Sequence, residues 1–314
     1  VKMVKDPRLD LALLNGMAIG LSLLTKSSGY FFIYYIPVAL LLLDIKSKNL
    51  KSKLIKWLSF SFITFVLAQI IYNTLRLSPF FYIISQKNLS FIRSLSEVIN
   101  SPFDHFTSNI ITLTYWLNSY LGLPLLILFL AGISYFLLKR NLKVLTLSVL
   151  IFMPFIAEGV FNIVLYPRFI LFYFPYVIIL IAAIVVKIKD SKHRLQKYIN
   201  FSLPVLFIFP VFNSFLLLTN PAQAKIADSD LGQYLNDWPA GYGVKESVDL
   251  IKETKNTQLV YVATEGTFGL LPYALNIYFF GDKTVEINGF WPLDENNIPQ
   301  QILDAAESRK TYLI

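Results

Sequence analysis

Three charged residues stand inside or beside long apolar runs, where a charge at bilayer depth costs at least a few kcal/mol. Lys26 lies in "LSLLTKSSGYFFIYYIPVALLLL", Glu158 in "FMPFIAEGVF" and Arg168 in "LYPRFILFYFPY". Two chemistries account for residues of this kind. In the plainer one, Glu158 and Arg168 pair across the short loop between them, and Lys26 snorkels, its stem against apolar groups and its ammonium in water. In the other, cations at one membrane interface bind an anionic headgroup such as a phosphate or diphosphate, through charge-assisted hydrogen bonds in a partly dry site. His105, beside Asp104 in "SPFDHF", is a further candidate for headgroup contact, whereas His193 sits in a basic loop and reads as solvated.

Other reactive chemistry is scarce. There is no G-x-S-x-G, no P-loop and no H-E-x-x-H pattern. With two histidines and no cysteine, the chain excludes a histidine-rich metal centre, a thiolate zinc site, a disulfide framework and a cysteine nucleophile. No metal site is assigned. A helper divalent cation stays open, with nothing in the residues to indicate one. "AGYGVKE" places Gly241 and Gly243 at a helix start, but no strand is predicted before it and the third glycine of a dinucleotide fingerprint is missing. Turn chemistry accounts for these glycines better.

The elements that position the charges follow from composition. The 314 residues are 55% hydrophobic and only 15% charged, with a mean hydropathy of +0.56, which is too apolar for a domain that must cover itself with polar groups. A membrane protein is expected. The net charge of +8 collects in short clusters between apolar runs, where it serves topology and argues against a nucleic-acid partner.

A helix needs roughly 20 apolar residues to cross a bilayer, and about seven spans are predicted, near 9–25, 29–44, 57–72, 119–138, 145–160, 167–186 and 200–218. The first two are short and separated by Ser27, Ser28 and Gly29. Basic residues cluster at 45–56, 139–143 and 187–199, which places those loops in the cytoplasm. The stretch from Asn73 to Asn118, with only Arg76, Lys87 and Arg93 as cations, then lies outside, partly ordered through "LSPFFYII" and "FIRSLSEVI". Lys26 falls at the outer surface, and the alternation closes with the first two runs counted as separate helices.

Composition shifts after Thr219, giving a transmembrane portion at 1–219 and a small extracytoplasmic α/β domain at 220–314. Val244, Val248 and Ile251 recur at helical spacing, and "TQLVYVAT" reads as a strand. A helix after Gly269, a strand through "KTVEING", a helix near "PQQILDAAES" and a last strand at "TYLI" complete an alternation that predicts a mainly parallel sheet. The chain opens on Val1 without a signal-peptide pattern and stops at "RKTYLI", so a C-terminal fragment of a longer protein is expected.

"GMAIGLSLLTKSSGYFFIYYIPVALLL" resembles the glycine-containing helix, "LLTK" element and following apolar helix of bacterial GT-C glycosyltransferases, which include protein mannosyltransferase relatives and the lipid A aminoarabinose transferase. "YPRFILFYFPYVIILIAA" is similar to their late helix. "YLNDWPAGYGVKES" and "TEGTFGLLPYALNIYF" resemble an extracytoplasmic tail of uncharacterised members. The resemblance covers most of the chain. It implies a plasma-membrane enzyme that transfers a sugar from a polyprenyl-phosphate donor to a protein, lipid or glycan acceptor at the outer face. It also implies that Lys26 stabilises the leaving phosphate, with Arg168 sharing that role and Glu158 orienting Arg168. The family's catalytic acidic residue lies in a loop upstream of this sequence, so the catalytic base stays unnamed and the fragment alone is expected to be inactive. The rival reading is a transporter or lipid flippase whose path is lined by Lys26, Glu158 and Arg168, although the spans show no inverted repeat. A further rival is an assembly or sensor protein whose tail binds a partner.

Overall fold

The computed structural model describes residues 2–79, 81–82, 84, 91–190, 201–237, 240–266, 270–293 and 298–314. Contacts divide the chain into two compact units, Val1–Ala227 and Asp228–Ile314. The boundary falls eight residues beyond the compositional shift after Thr219, for a local reason. The Asn213 side chain donates to the Lys225 carbonyl at 2.8 Å and accepts from the Lys225 amide at 2.7 Å, which ties the polar stretch after Thr219 back onto the helical unit.

That first unit is helical. Its main helices are α1 (Leu9–Thr25), α2 (Tyr30–Val38), α3 (Leu50–Asn73), α4 (Leu95–Asn100), α5 (Phe106–Leu121), α6 (Leu123–Leu138), α7 (Leu142–Phe161), α8 (Phe174–Lys189) and α9 (Ile208–Thr219). Among the described residues, two helices are long and apolar enough to cross a membrane: Leu50–Leu77, which is α3 with a 3-10 extension, and α7. Helices α5 and α6 meet that test only together, and they are bent by 114° across their break. Shorter apolar helices cover Leu9–Thr25, Ser27–Leu42 and Leu203–Thr219.

Several expected runs are therefore divided differently. The run at 119–138 is not one helix, because Gly122 adopts φ +77° between α5 and α6 and Pro124 starts the next helix at a position where no amide donor is needed. The run at 167–186 opens as a 3-10 turn over Pro167–Phe172 before α8 begins. The run at 200–218 likewise has a 3-10 turn over Leu203–Phe207 before α9. Pro175, at the start of α8, and Pro210, in the first turn of α9, cannot donate an amide to the turn before them. The first two runs are separate helices, divided at Lys26. Part of "LSPFFYII" and most of the loop at 187–199, with His193, lie outside the described residues.

Close helix packing comes from small residues. Ala12, Gly16 and Gly20 recur every fourth position on α1 and face α3, where a Cβ on Gly20 would lie 2.7 Å from Ile71 Cβ. Small residues along such a seam let two helix backbones approach closely. Buried Thr64 donates to the Ala12 carbonyl at 3.0 Å across the same seam. A second core joins α5, α6, α7 and α8 through Leu113, Trp116, Phe129, Ile151, Tyr173 and Leu180.

The second unit is the α/β arrangement expected from its alternation. Helices α10 (Val244–Lys255), α11 (Leu270–Tyr278) and α12 (Gln300–Ser308) surround strands β1 (Val260–Glu265), β2 (Val285–Phe290) and β3 (Lys310–Leu313). The order is β2-β1-β3, all parallel, with Val260 opposite both Val285 and Lys310. Side chains of β1 alternate between faces. Val260 and Val262 join Val248, Ile251 and Leu275 of α10 and α11, while Tyr261 and Ala263 meet Ile302 and Ala305 of α12. Gly241 (φ +85°) and Gly243 (φ +83°) occupy left-handed turn positions before α10, as turn chemistry requires.

Candidate functional site

Lys26 sits at a break in the chain. Its backbone is extended, at φ −160° and ψ 143°, and its amide donates to Ser22 O as the C-cap of α1. Gly29 then packs so tightly against that last turn that a Cβ would lie 2.8 Å from Ser22 Oγ and 2.9 Å from the Leu23 amide. The tight return fixes where the half-buried Lys26 side chain emerges. Its ammonium lies 4.6 Å from the centre of the Phe169 ring, a cation–π contact. The Arg168 guanidinium lies 6.0 Å from the same ring centre and 4.3 Å from that of Tyr166.

Glu158 is buried near the end of α7 and accepts a hydrogen bond from the fully buried Tyr173 hydroxyl at 3.2 Å. It lies within electrostatic range of Lys26, which also feels Arg168. Among the described residues no ion pair of 4 Å or less joins Glu158 to Lys26 or Arg168; its hydrogen-bonded partner is a tyrosine. The structure thus brings Lys26, Arg168 and Glu158 into one neighbourhood and adds Tyr173, Tyr166 and Phe169 to it.

The end of α7 is held rigidly, which positions Glu158. Buried Asn109 donates to the carbonyls of Gly159, at 3.1 Å, and Asn162, at 2.8 Å. The Arg93 amide donates to Phe161 O at 2.7 Å, and its buried guanidinium reaches Val160 O at 3.5 Å. These bonds satisfy carbonyls that a helix end otherwise leaves unpaired. The guanidinium also donates to Glu97 O and Ser101 O, at 2.9 and 2.6 Å, so the segment at 91–104 is ordered against α7. His105 belongs here and not beside Lys26. It precedes α5 and lines an open hollow of about 310 Å³ with Arg93, Glu97 and Asp104.

A mainly apolar cavity of about 660 Å³ lies between α1, α2, α3, α7 and α8, its lining running from Met3 and Val4 to Ser22. Ser22, Tyr35 and Tyr176 line it, as do Trp57 and Ile36. The indole N–H of Trp57 is buried and has no hydrogen-bond partner among the described residues. An apolar chain fits such a cavity, and its lining comes nearest to Lys26 in sequence at Ser22, whose carbonyl accepts from the Lys26 amide.

Among the described residues no cluster of three His, Asp or Glu side chains is arranged to hold a metal ion. No family model, no curated protein and no solved structure matches the chain.

Proposed function

We propose that the helical unit crosses a bilayer and binds a polyprenyl-phosphate-linked sugar at its outer face, from which the sugar passes to a hydroxyl of a protein, lipid or glycan acceptor. The observation that carries this reading is the convergence of Lys26 and Arg168 on Phe169. Lys26 is half-buried and Arg168 exposed, and an anion that both cations reach gains charge-assisted hydrogen bonds while offsetting their mutual repulsion. The apolar cavity whose lining reaches Ser22 suits the apolar half of such a ligand.

The bilayer reading draws support from side chains that point away from the protein. Leu58, Phe62 and Ile70 of α3 are all more than 60% exposed, which is an expensive arrangement in water and a favourable one in lipid. The seven-span topology, with basic loops at 45–56 and 139–143 inside, rests on the charge distribution.

In the transfer step the acceptor oxygen forms a bond to the anomeric carbon, and the bond from that carbon to the phosphate oxygen breaks. The electron pair leaves with the phosphate, whose growing charge Lys26 and Arg168 stabilise. The hydroxyl proton passes to a base that is not assigned to any residue here. Glu158, bound to the Tyr173 hydroxyl, lies outside the transfer step.

The test is sugar transfer from a polyprenyl-phosphate sugar by the full-length, membrane-reconstituted protein with matched expression. Lys26→Met is expected to cost on the order of 2 to 4 kcal/mol of transition-state stabilisation, and Lys26→Arg to recover part of it. Transfer by Lys26→Met at the unaltered protein's rate would overturn the phosphate role. Lipid crossing the bilayer without transfer would favour the flippase reading.

A further inference from the structure

The C-terminal unit is acidic as a whole, with thirteen Asp and Glu against six Lys and Arg between residues 228 and 314. One side of it departs from that character. Tyr273, Ile277 and Phe280 lie along α11 and the turn after it at intervals of four and three residues, and they are 52%, 77% and 93% exposed. Tyr278, also exposed, has the Lys252 ammonium 5.7 Å from its ring centre. Exposed Lys283 follows three residues after Phe280. Lys255, paired with Asp282, lies beside Phe279. Half of the unit's six basic residues thus gather around α11 and the turn after it.

We propose that this side of α11 rests on an anionic lipid surface, with Tyr273, Ile277, Tyr278 and Phe280 in the headgroup layer and Lys252 and Lys283 against lipid phosphates. The inference rests on the bilayer reading of the helical unit. Three features select lipid as the occupant. Aromatic and aliphatic residues flanked by lysine make the pattern of interfacial helices. An otherwise acidic unit approaches an anionic surface only by its basic side. The chain passes into this unit directly from α9 through residues 220–227, which the Asn213 pair holds against the helical unit. That short tether keeps the unit near the membrane at high effective concentration. Weak burial of a few side chains is then enough to orient it.

The chain has no cysteine, so single cysteines carry a probe without background. A fluorophore at Phe280→Cys in the full chain, reconstituted in vesicles of phosphatidylcholine and phosphatidylglycerol, is compared with one at Glu307→Cys on α12, across the sheet. Phe62→Cys on α3 reports the bilayer reading separately. The expected result is severalfold stronger quenching by lipid-borne nitroxide at residue 280 than at residue 307, weakened when Lys252 and Lys283 are changed to Glu. Quenching at residue 280 by aqueous iodide as strong as at residue 307 overturns the proposal. So does protection from both quenchers, which indicates a protein cover. Loss of lipid quenching at residue 62 removes the bilayer reading itself, whereas quenching at residue 62 without it at residue 280 removes only the lipid contact of α11.

Discussion

The Tyr35 hydroxyl donates to the Leu150 carbonyl at 2.6 Å, and Leu150 is the residue four positions before Pro154 inside α7. Proline has no amide to give that carbonyl. A side chain 115 residues away in sequence supplies the missing donor, and in doing so fastens α2 to α7 about two turns before Glu158.

The pair is expected to be coupled. Tyr35→Phe leaves a carbonyl without its donor and is expected to cost about 1 kcal/mol, the scale of hydrogen bonds between membrane helices. In a Pro154→Ala background the helix recovers its own amide, and the same change is expected to cost much less. Unfolding followed by circular dichroism in mixed micelles measures the cycle. Strictly additive losses would show that Tyr35 does not serve the proline.

The seam between α1 and α3 has no room to grow. Gly20→Ala places a methyl 2.7 Å from Ile71 Cβ, and overpacking of this kind costs about 1–3 kcal/mol. Trimming the neighbour with Ile71→Ala is expected to relieve the loss in the double variant. Thermal inactivation in detergent reads it, and equal losses from Gly20→Ala in both backgrounds contradict the close approach.

In the C-terminal unit, the Lys255 ammonium and the Thr284 hydroxyl and amide hold the Asp282 carboxyl well below the usual carboxylate range. A carboxylate with a lowered folded pKa adds stability above its unfolded value, about 3.9, and loses it as pH falls towards the folded one. Acid unfolding of this unit below about pH 4 is therefore expected to soften in Asp282→Asn, which starts less stable at neutral pH and changes less with acid. An unchanged acid limb, followed by near-ultraviolet circular dichroism, counts against the pair.

The arrangement of basic loops is open to labelling. With no cysteine in the chain, Lys48→Cys is expected to resist an impermeant thiol reagent added outside intact cells, while Glu307→Cys reacts. Labelling of Lys48→Cys from outside reverses the topology.

Much of this fold follows from local pattern, and the exceptions have particular causes. In the C-terminal unit each strand or helix declares its period, and Val260 to Ala263 alternate between two faces because both are covered. Hydropathy marks the apolar runs of the helical unit but does not see where they break. Gly122 and Pro124 split one run, and Pro167 and Pro175 turn the start of another into a 3-10 segment. At the site, Lys26, Glu158 and Arg168 stand out as charges among apolar neighbours. Tyr35 and Tyr173 do not, since a tyrosine within an aromatic run looks like packing until its hydroxyl finds a partner. Arg93 counts in the sequence only as a loop cation. The Ser94 and Glu97 capping box beside it was the available signal that the loop is structured. His105 follows Asp104, whose carboxylate pairs with Arg93, and no spacing rule reads that pair from the sequence.

Binding of a short-chain polyprenyl phosphate to the reconstituted protein tests most directly whether Lys26 is a phosphate ligand. Titration by native mass spectrometry separates that role from catalysis, because it needs no acceptor and no base. Lys26→Met is expected to weaken binding about tenfold or more, equivalent to about 1.4 kcal/mol, with Lys26→Arg in between and Arg168→Gln weaker than the unaltered protein. Equal affinity for Lys26→Met and the unaltered protein would contradict the account and leave Lys26 as a lysine that reaches only water.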